Sequence, residues 1–216
     1  TGADTRDTLR FAMIYGNTGF MGLPLVQGVL GSDAMIYCTV TLAIFNIATW
    51  THGAVLMGGT SNLSVKKTVL NPGVVGCVIG FFFFFSNVTV PSPVSTAVGY
   101  LADLNTPLAM VVIGGQMASS DFAATFRKPT LYVVSAVKLL VVPLFNALIL
   151  LPFHLDGMCY STLVILAACP SAGLTSMFAQ TFRRDTAIAA QSVTLTTLFS
   201  ILTLPLIALL ARALGG

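Results

Sequence analysis

The chain falls into apolar runs of roughly twenty residues, parted by connections of only a few polar ones. A bilayer core about 30 Å thick takes about twenty helical residues to cross. Seven such runs can be read, at roughly 10–30, 34–58, 70–90, 94–118, 129–152, 158–182 and 186–210. Lipid offers backbone groups no water to bond, so each run must satisfy its own N–H and C=O groups as a helix or join a closed barrel. No alternating polarity of the barrel kind is present, and charged residues make up only 8% of the sequence. A soluble domain carries about a quarter. The expected fold class is an all-α polytopic membrane protein.

Basic residues set the expected orientation. Arg6 and Arg10 precede the first run, Lys66 and Lys67 follow the second, Arg127 and Lys128 the fourth, and Arg183 and Arg184 the sixth. In an alternating arrangement all of these fall on one side, expected to be cytoplasmic, with Arg212 and the C-terminus outside. This predicts a multi-pass protein of a plasma membrane, a bacterial inner membrane for choice. Basic residues do not cluster with aromatics, so no nucleic-acid partner is expected. Cys38, Cys77, Cys159 and Cys169 lie inside apolar runs without a CxxC spacing or a nearby histidine. They read as small buried hydrophobes, and neither a metal nor another cofactor is called for. Asn62 and Asn87 open short glycosylation-like triplets of little specificity.

The first run contains GNTGFMGLPL at 16–25, with Asn17, Thr18, Gly19 and Pro24 where leucine or valine would serve an anchor better. A glycine inside a helix costs about 1 kcal/mol and a proline about 3 kcal/mol, and proline also frees a carbonyl. In lipid such breaks persist where the freed groups line a cavity or meet protein. A second stretch, ACPSAGLTSMFAQTFRRD at 168–185, aligns with 16–33 at a shift of 152 residues, and VTL recurs at 40–42 and 193–195. The two copies run in opposite directions across the bilayer, as in the inverted repeats of secondary transporters. On that reading two broken helices cross near the midplane and present the positive ends of half-helices to an anion. Asn17, Thr18, Ser171 and Thr175 would add side-chain donors beside Pro170. Close helix packing around small residues is the alternative.

These residues carry a resemblance. NTGFMGLPL closely resembles the NTxxMGxPL segment of the auxin efflux carrier family, which includes plant PIN proteins and bacterial malonate or malate permease-like members. NTPLAMVVIGGQM (105–117), KLLVVPL (138–144) and AACPSAGLTSMFAQTF (167–182) are similar to three further segments of that family. The resemblance implies ten helices in two inverted repeats of five, and a crossover domain that moves like an elevator against a scaffold. The sequence would hold helices four to ten, the first three being absent. Residues 1–62 would end the first repeat and 63–216 would form the second. It also implies Asn17, Pro24 and Pro170 as crossover residues and a homodimer through the scaffold. Ser171 and Ala172 stand where plant members tend to have Gln and Gly, which favours a small carboxylate over auxin.

Two ionisable residues lie deep, Asp103 and Lys138, each about 14 Å from the start of its run. A charge at that depth is costly and usually functional. Lys138 would attract a carboxylate and Asp103 would carry a coupling proton, or the two would pair with each other. Pro107 predicts a kink beside Asn105, a further site candidate. His52 and His154 near run ends read as interfacial packing, and FFFFF at 81–85 as lipid-facing bulk. The expected function is a secondary carrier, not an enzyme, that exports or exchanges a small organic anion such as a dicarboxylate, with protons as coupling partners. A sodium-coupled symporter of the bile-acid-transporter type is the alternative. A non-transport membrane module ranks below both.

Overall fold

The computed structural model describes residues 2–59, 70, 72–86, 88–118 and 120–215. Lys66, Lys67 and the triplet at Asn62 lie outside the described residues, as does Asn87 itself. The described elements are α1 (Ala3–Ile14), α2 (Thr18–Leu30), α3 (Ser32–Gly58), α4 (Pro72–Ser86) and α5 (Ser92–Ala118). They continue with α6 (Phe122–Phe126), α7 (Pro129–Phe153), α8 (Gly157–Ala168), α9 (Leu174–Thr181) and α10 (Thr186–Gly215). Among them α3, α5, α7 and α10 are long and apolar enough to span a membrane alone. The first and sixth apolar runs are each divided, into α1 with α2 and α8 with α9.

Prolines account for most of the irregularities. Pro107 offers no N–H to the Asp103 carbonyl, and α5 loosens at Leu104. Pro24 and Pro143 do the same to Phe20 and Leu139, and each follows a π-helical turn, Thr18–Gly22 in α2 and Val137–Val141 in α7. A third π-helical turn, Thr49–Gly53 in α3, has no proline. There the Tyr15 hydroxyl donates to the Ala48 carbonyl at 2.9 Å, and a glycine at 53 makes room for the ring. Phe82, Phe83, Phe84 and Phe85 are exposed on α4, in line with a lipid-facing role.

The ends of the helices gather in two layers. At one, Arg184 bonds the Met57 carbonyl at 2.6 Å and reaches Asp4 and, at 3.8 Å, Asp7. Thr5 bonds Asp185 at 3.1 Å and Lys128 bonds Gln191 at 2.9 Å. At the other, Tyr160 donates to the Ala147 carbonyl and Ser161 to that of Ala211. Successive spans therefore run in opposite directions. Arg6 and Arg10 require a correction: they sit on α1 rather than before it. Asp4 favours the first turn, and Asp7 lies 3.8 Å from Arg6 and 3.9 Å from Arg10. The basic layer itself is unchanged.

Two apolar clusters flank the middle. One joins Val26, Cys38, Val164, Ile165 and Leu204, and the other joins Phe11, Tyr15, Met57 and Phe178. Close approach of α2 to α8 depends on Gly22, where an added Cβ would lie 2.6 Å from Leu166 Cδ2 and 3.2 Å from Cys169 Sγ. Overpacking of this kind costs about 1–3 kcal/mol. Gly22→Val should therefore lower the melting temperature in detergent by several degrees. Leu166→Ala in the same chain should recover part of the loss, which a two-by-two set of melting curves would measure.

Candidate functional site

The two breaks meet. Chain leaving α1 passes through an extended Tyr15 and Gly16 and turns at Asn17, where Thr18 N–H donates to the Gly16 carbonyl at 2.9 Å, and chain leaving α8 passes Cys169 to Gly173. Gly16 and Ser171 pair as an isolated antiparallel bridge. Asn17 N–H donates to the Pro170 carbonyl at 2.7 Å and Ala172 N–H to the Tyr15 carbonyl at 3.0 Å. Ser171 is bound on both sides: its N–H reaches Thr196 Oγ1 at 3.2 Å and its hydroxyl donates to the Ala12 carbonyl at 2.8 Å. An unpaired backbone group in this interior would cost several kcal/mol, so the two breaks stabilise one another.

Half-helices are sorted by their ends around this crossing. α2 and α9 begin there, and α1 and α8 finish there. The beginnings carry partial positive charge and the ends partial negative charge, although the N–H groups of Thr18, Thr175 and Ser176 bond the carbonyls of Gly16, Ala172 and Gly173. A cavity of about 580 Å³ lies against the beginnings. Its polar lining is Asn17, Thr18, Asn46 and Asn105, and Phe20, Phe45 and Trp50 are among its apolar walls. Thr18 opens α2, is only 7% exposed, and its Oγ1 has no hydrogen-bond partner among the described residues. A buried hydroxyl without a partner costs about 1–3 kcal/mol.

Lys138 stands on the opposite face of the crossing. It is 2% exposed, does not line the cavity, and takes part in no ion pair among the described residues. Its ammonium donates to the Ala167 carbonyl at 3.5 Å, in the last turn of α8, where a cation opposes the dipole. It also fills the space left by the missing side chain of Gly16, where a Cβ would lie 2.9 Å from Nζ and 3.1 Å from the Cys169 carbonyl.

Of the sequence candidates, the structure brings Asn17, Thr18, Gly19 and Asn105 to the cavity wall. Pro170 and Ser171 build the crossing behind it. Pro24 shapes α2 without lining the cavity, and Thr175 is fully buried with its Oγ1 unpartnered outside the lining. Asp103 is exposed at the kink of α5 and is no partner of Lys138. His52 bonds Tyr15 rather than packing at an end, and His154 is exposed in the turn after α7. Sequence reasoning missed Asn46 and Trp50 on α3 and Thr196 on α10. The spacing of Leu42, Phe45, Asn46 and Trp50 follows one helical face, and an amide on that face was the available signal.

The sequence is similar to those of known membrane transporters. The family described as membrane transport protein matches residues 59–208, which include the second break and Lys138. An "Uncharacterized transporter" of Methanothermobacter thermautotrophicus is 28% identical over 88% of this chain and 63% of its own length. Another, from Methanocaldococcus jannaschii, is 25% identical over 88% of this chain and 64% of its own. A "Putative malonate transporter" of Rhizobium meliloti is 27% identical over 89% and 63%. The chain thus spans 63–64% of the length of these relatives.

The geometry at Gly16 separates two substitutions. Gly16→Ala presses on a backbone carbonyl that cannot move without opening the crossing, and should lower the melting temperature. Lys138→Met removes a buried charge in favour of an apolar chain, an exchange that is often neutral or stabilising. Its melting temperature should match or exceed the parent's, as differential scanning fluorimetry would read.

Proposed function

Because this chain belongs to the membrane transport protein family, that of the auxin efflux carriers and their prokaryotic relatives, we propose that it forms the crossover-bearing part of a secondary carrier for a small organic anion such as a dicarboxylate. The activity of this family is transport and not catalysis. The observation that carries the reading is the crossing of the two breaks, which sets the beginnings of α2 and α9, with Asn17 and Thr18, against one cavity. A carboxylate placed there would accept from Thr18 and from the amides of Asn17, Asn46 and Asn105. It would also meet two half-helix beginnings of like polarity. The cavity far exceeds a three-carbon dicarboxylate, so the anion would carry water with it or be larger than malonate.

Alternating access follows if the crossing moves as a unit with α2 and α9, exposing the cavity to each side in turn. Gly16, Asn17, Pro170 and Ser171 form such a unit through their mutual backbone bonds. The two broken spans run in opposite directions, which supports an inverted repeat, with 1–62 closing the first and 63–216 forming the second. The positive-inside bias supports a cytoplasmic basic layer and an external C-terminus in a plasma membrane. A homodimer through the scaffold remains part of the proposal.

The test is uptake of labelled malonate by the full-length protein in proteoliposomes, with and without sodium. Thr18→Val and Asn105→Ala should each cut the initial rate at least tenfold at low substrate, about 1.4 kcal/mol of lost binding. The same substitutions should weaken the malonate-induced change in Trp50 fluorescence in parallel. Equal rates in parent and variants would overturn the site. Uptake that vanishes without sodium would favour the symporter reading.

A further inference from the structure

Tyr15 is the residue through which the crossing is tied to the cavity wall. Its carbonyl accepts from Ala172 N–H at 3.0 Å, and its ring, 4% exposed, packs between Phe11 and Phe45. Its hydroxyl lies 2.9 Å from the Ala48 carbonyl and 2.9 Å from His52 Nδ1. A phenol has one proton, and a carbonyl can only accept. The phenol proton therefore goes to Ala48, and His52 Nδ1 must carry the hydrogen that meets the phenol oxygen. This assigns the tautomer: Nε2 holds the open lone pair. His52 is exposed in the described structure, so a proton can reach Nε2 without any of these bonds breaking.

We propose that His52 is a proton-binding site linked through Tyr15 to the crossing and the cavity, and that it, rather than Asp103, takes up the proton that accompanies the anion. The coupling half of this statement rests on the carrier reading above. An imidazolium is the stronger donor to the phenol, and a phenol so polarised donates more strongly to Ala48. One bond ends on Ala48, just before the π-helical turn Thr49–Gly53, and the other on His52 within it, so protonation strengthens the hold on the turn that carries Trp50 and one cavity wall. Neither His52 nor Asp103 lines the cavity, but His52 shares its π-helical turn with Trp50, which does.

Few other charges among the described residues face this group. On α1 they are Asp4, Asp7, Arg6 and Arg10, gathered with Arg184 at the helix-end layer where Arg184 bonds Met57. α2 and α9 carry no titratable residue, and α4 has only Cys77 by sequence. Asp33, Tyr37 and Cys38 lie at the far end of α3, where Cys38 shares an apolar cluster with Tyr160 of α8.

The first experiment needs no substrate. Trp50 is the sole tryptophan of this sequence, and any tryptophan elsewhere in the full chain is replaced by phenylalanine. Trp50 emission is followed from pH 5 to 8 in the full-length protein in nanodiscs. The parent should show one titration step. His52→Asn, which keeps a donor towards Tyr15 but cannot titrate, should lose it, and Tyr15→Phe should lose most of it while retaining a titrating imidazole by NMR. His154→Gln, at an exposed turn, should behave as the parent. A step that survives His52→Asn overturns the site, and an undiminished step in Tyr15→Phe overturns the link. In proteoliposomes an inward proton gradient should stimulate malonate uptake by the parent and lose that stimulation in His52→Asn. Stimulation retained in the variant overturns coupling through His52. If the parent moves no malonate at all, the carrier reading with that substrate fails, whereas the fluorescence result stands by itself.

Discussion

Everything else in this molecule depends on a short stretch of backbone pairing in a place without water. Two helices stop inside the bilayer, and stopping leaves donors and acceptors that lipid cannot satisfy. The hydrogen bonds from Asn17 to Pro170 and from Ala172 to Tyr15 satisfy some of them across the crossing, and Thr196 and Ala12 hold Ser171 from either side. Without these bonds each break would be an expensive defect. With them, the four half-helices acquire ends in the middle of the molecule, where an ordinary span has none.

The ends then divide by polarity. The beginnings of α2 and α9 face the cavity, and the end of α8 faces Lys138. A buried ammonium in no ion pair among the described residues is unusual in so apolar a setting, and the carbonyls of a helix end are a partial answer to its charge. Lys138 thus belongs to the support of the crossing, one layer behind the cavity. Its long-range field still favours an anion on the other side, because little water intervenes to screen it.

Much of this was legible in the sequence because membrane helices leave simple traces. Most of the apolar runs match described helices to within a few residues, though α1 begins at Ala3 and α10 ends at Gly215, and Gly16, Asn17, Pro24 and Pro170 marked the breaks because those residue types are costly inside a helix. Asn105 was legible for the same reason, as an amide beside Pro107. What escaped was everything that depends on which way a helix is rotated. Lys138 and Asp103 look alike in the sequence, yet one is buried against the crossing and the other exposed at a kink. Trp50 and Asn46 were hidden among apolar neighbours, and Thr196 in a helix already rich in threonine. Arg6 and Arg10 were placed before α1, because their own pairing with Asp7 extends the helix past the apolar run.

The three π-helical turns have a consequence for how this bundle can move. Each packs one residue more into its turn than an α-helix would, and two of them immediately precede a proline. Tightening such a turn into α-helical form would swing everything beyond it by about 100° around the helix axis and advance it by about 1.5 Å. One turn carries Thr18, one Trp50 and one Lys138, so all three surround the crossing. The joints and the groups they would turn are therefore the same residues, and a rotation of the frame at this depth cannot leave the cavity's chemistry as it was.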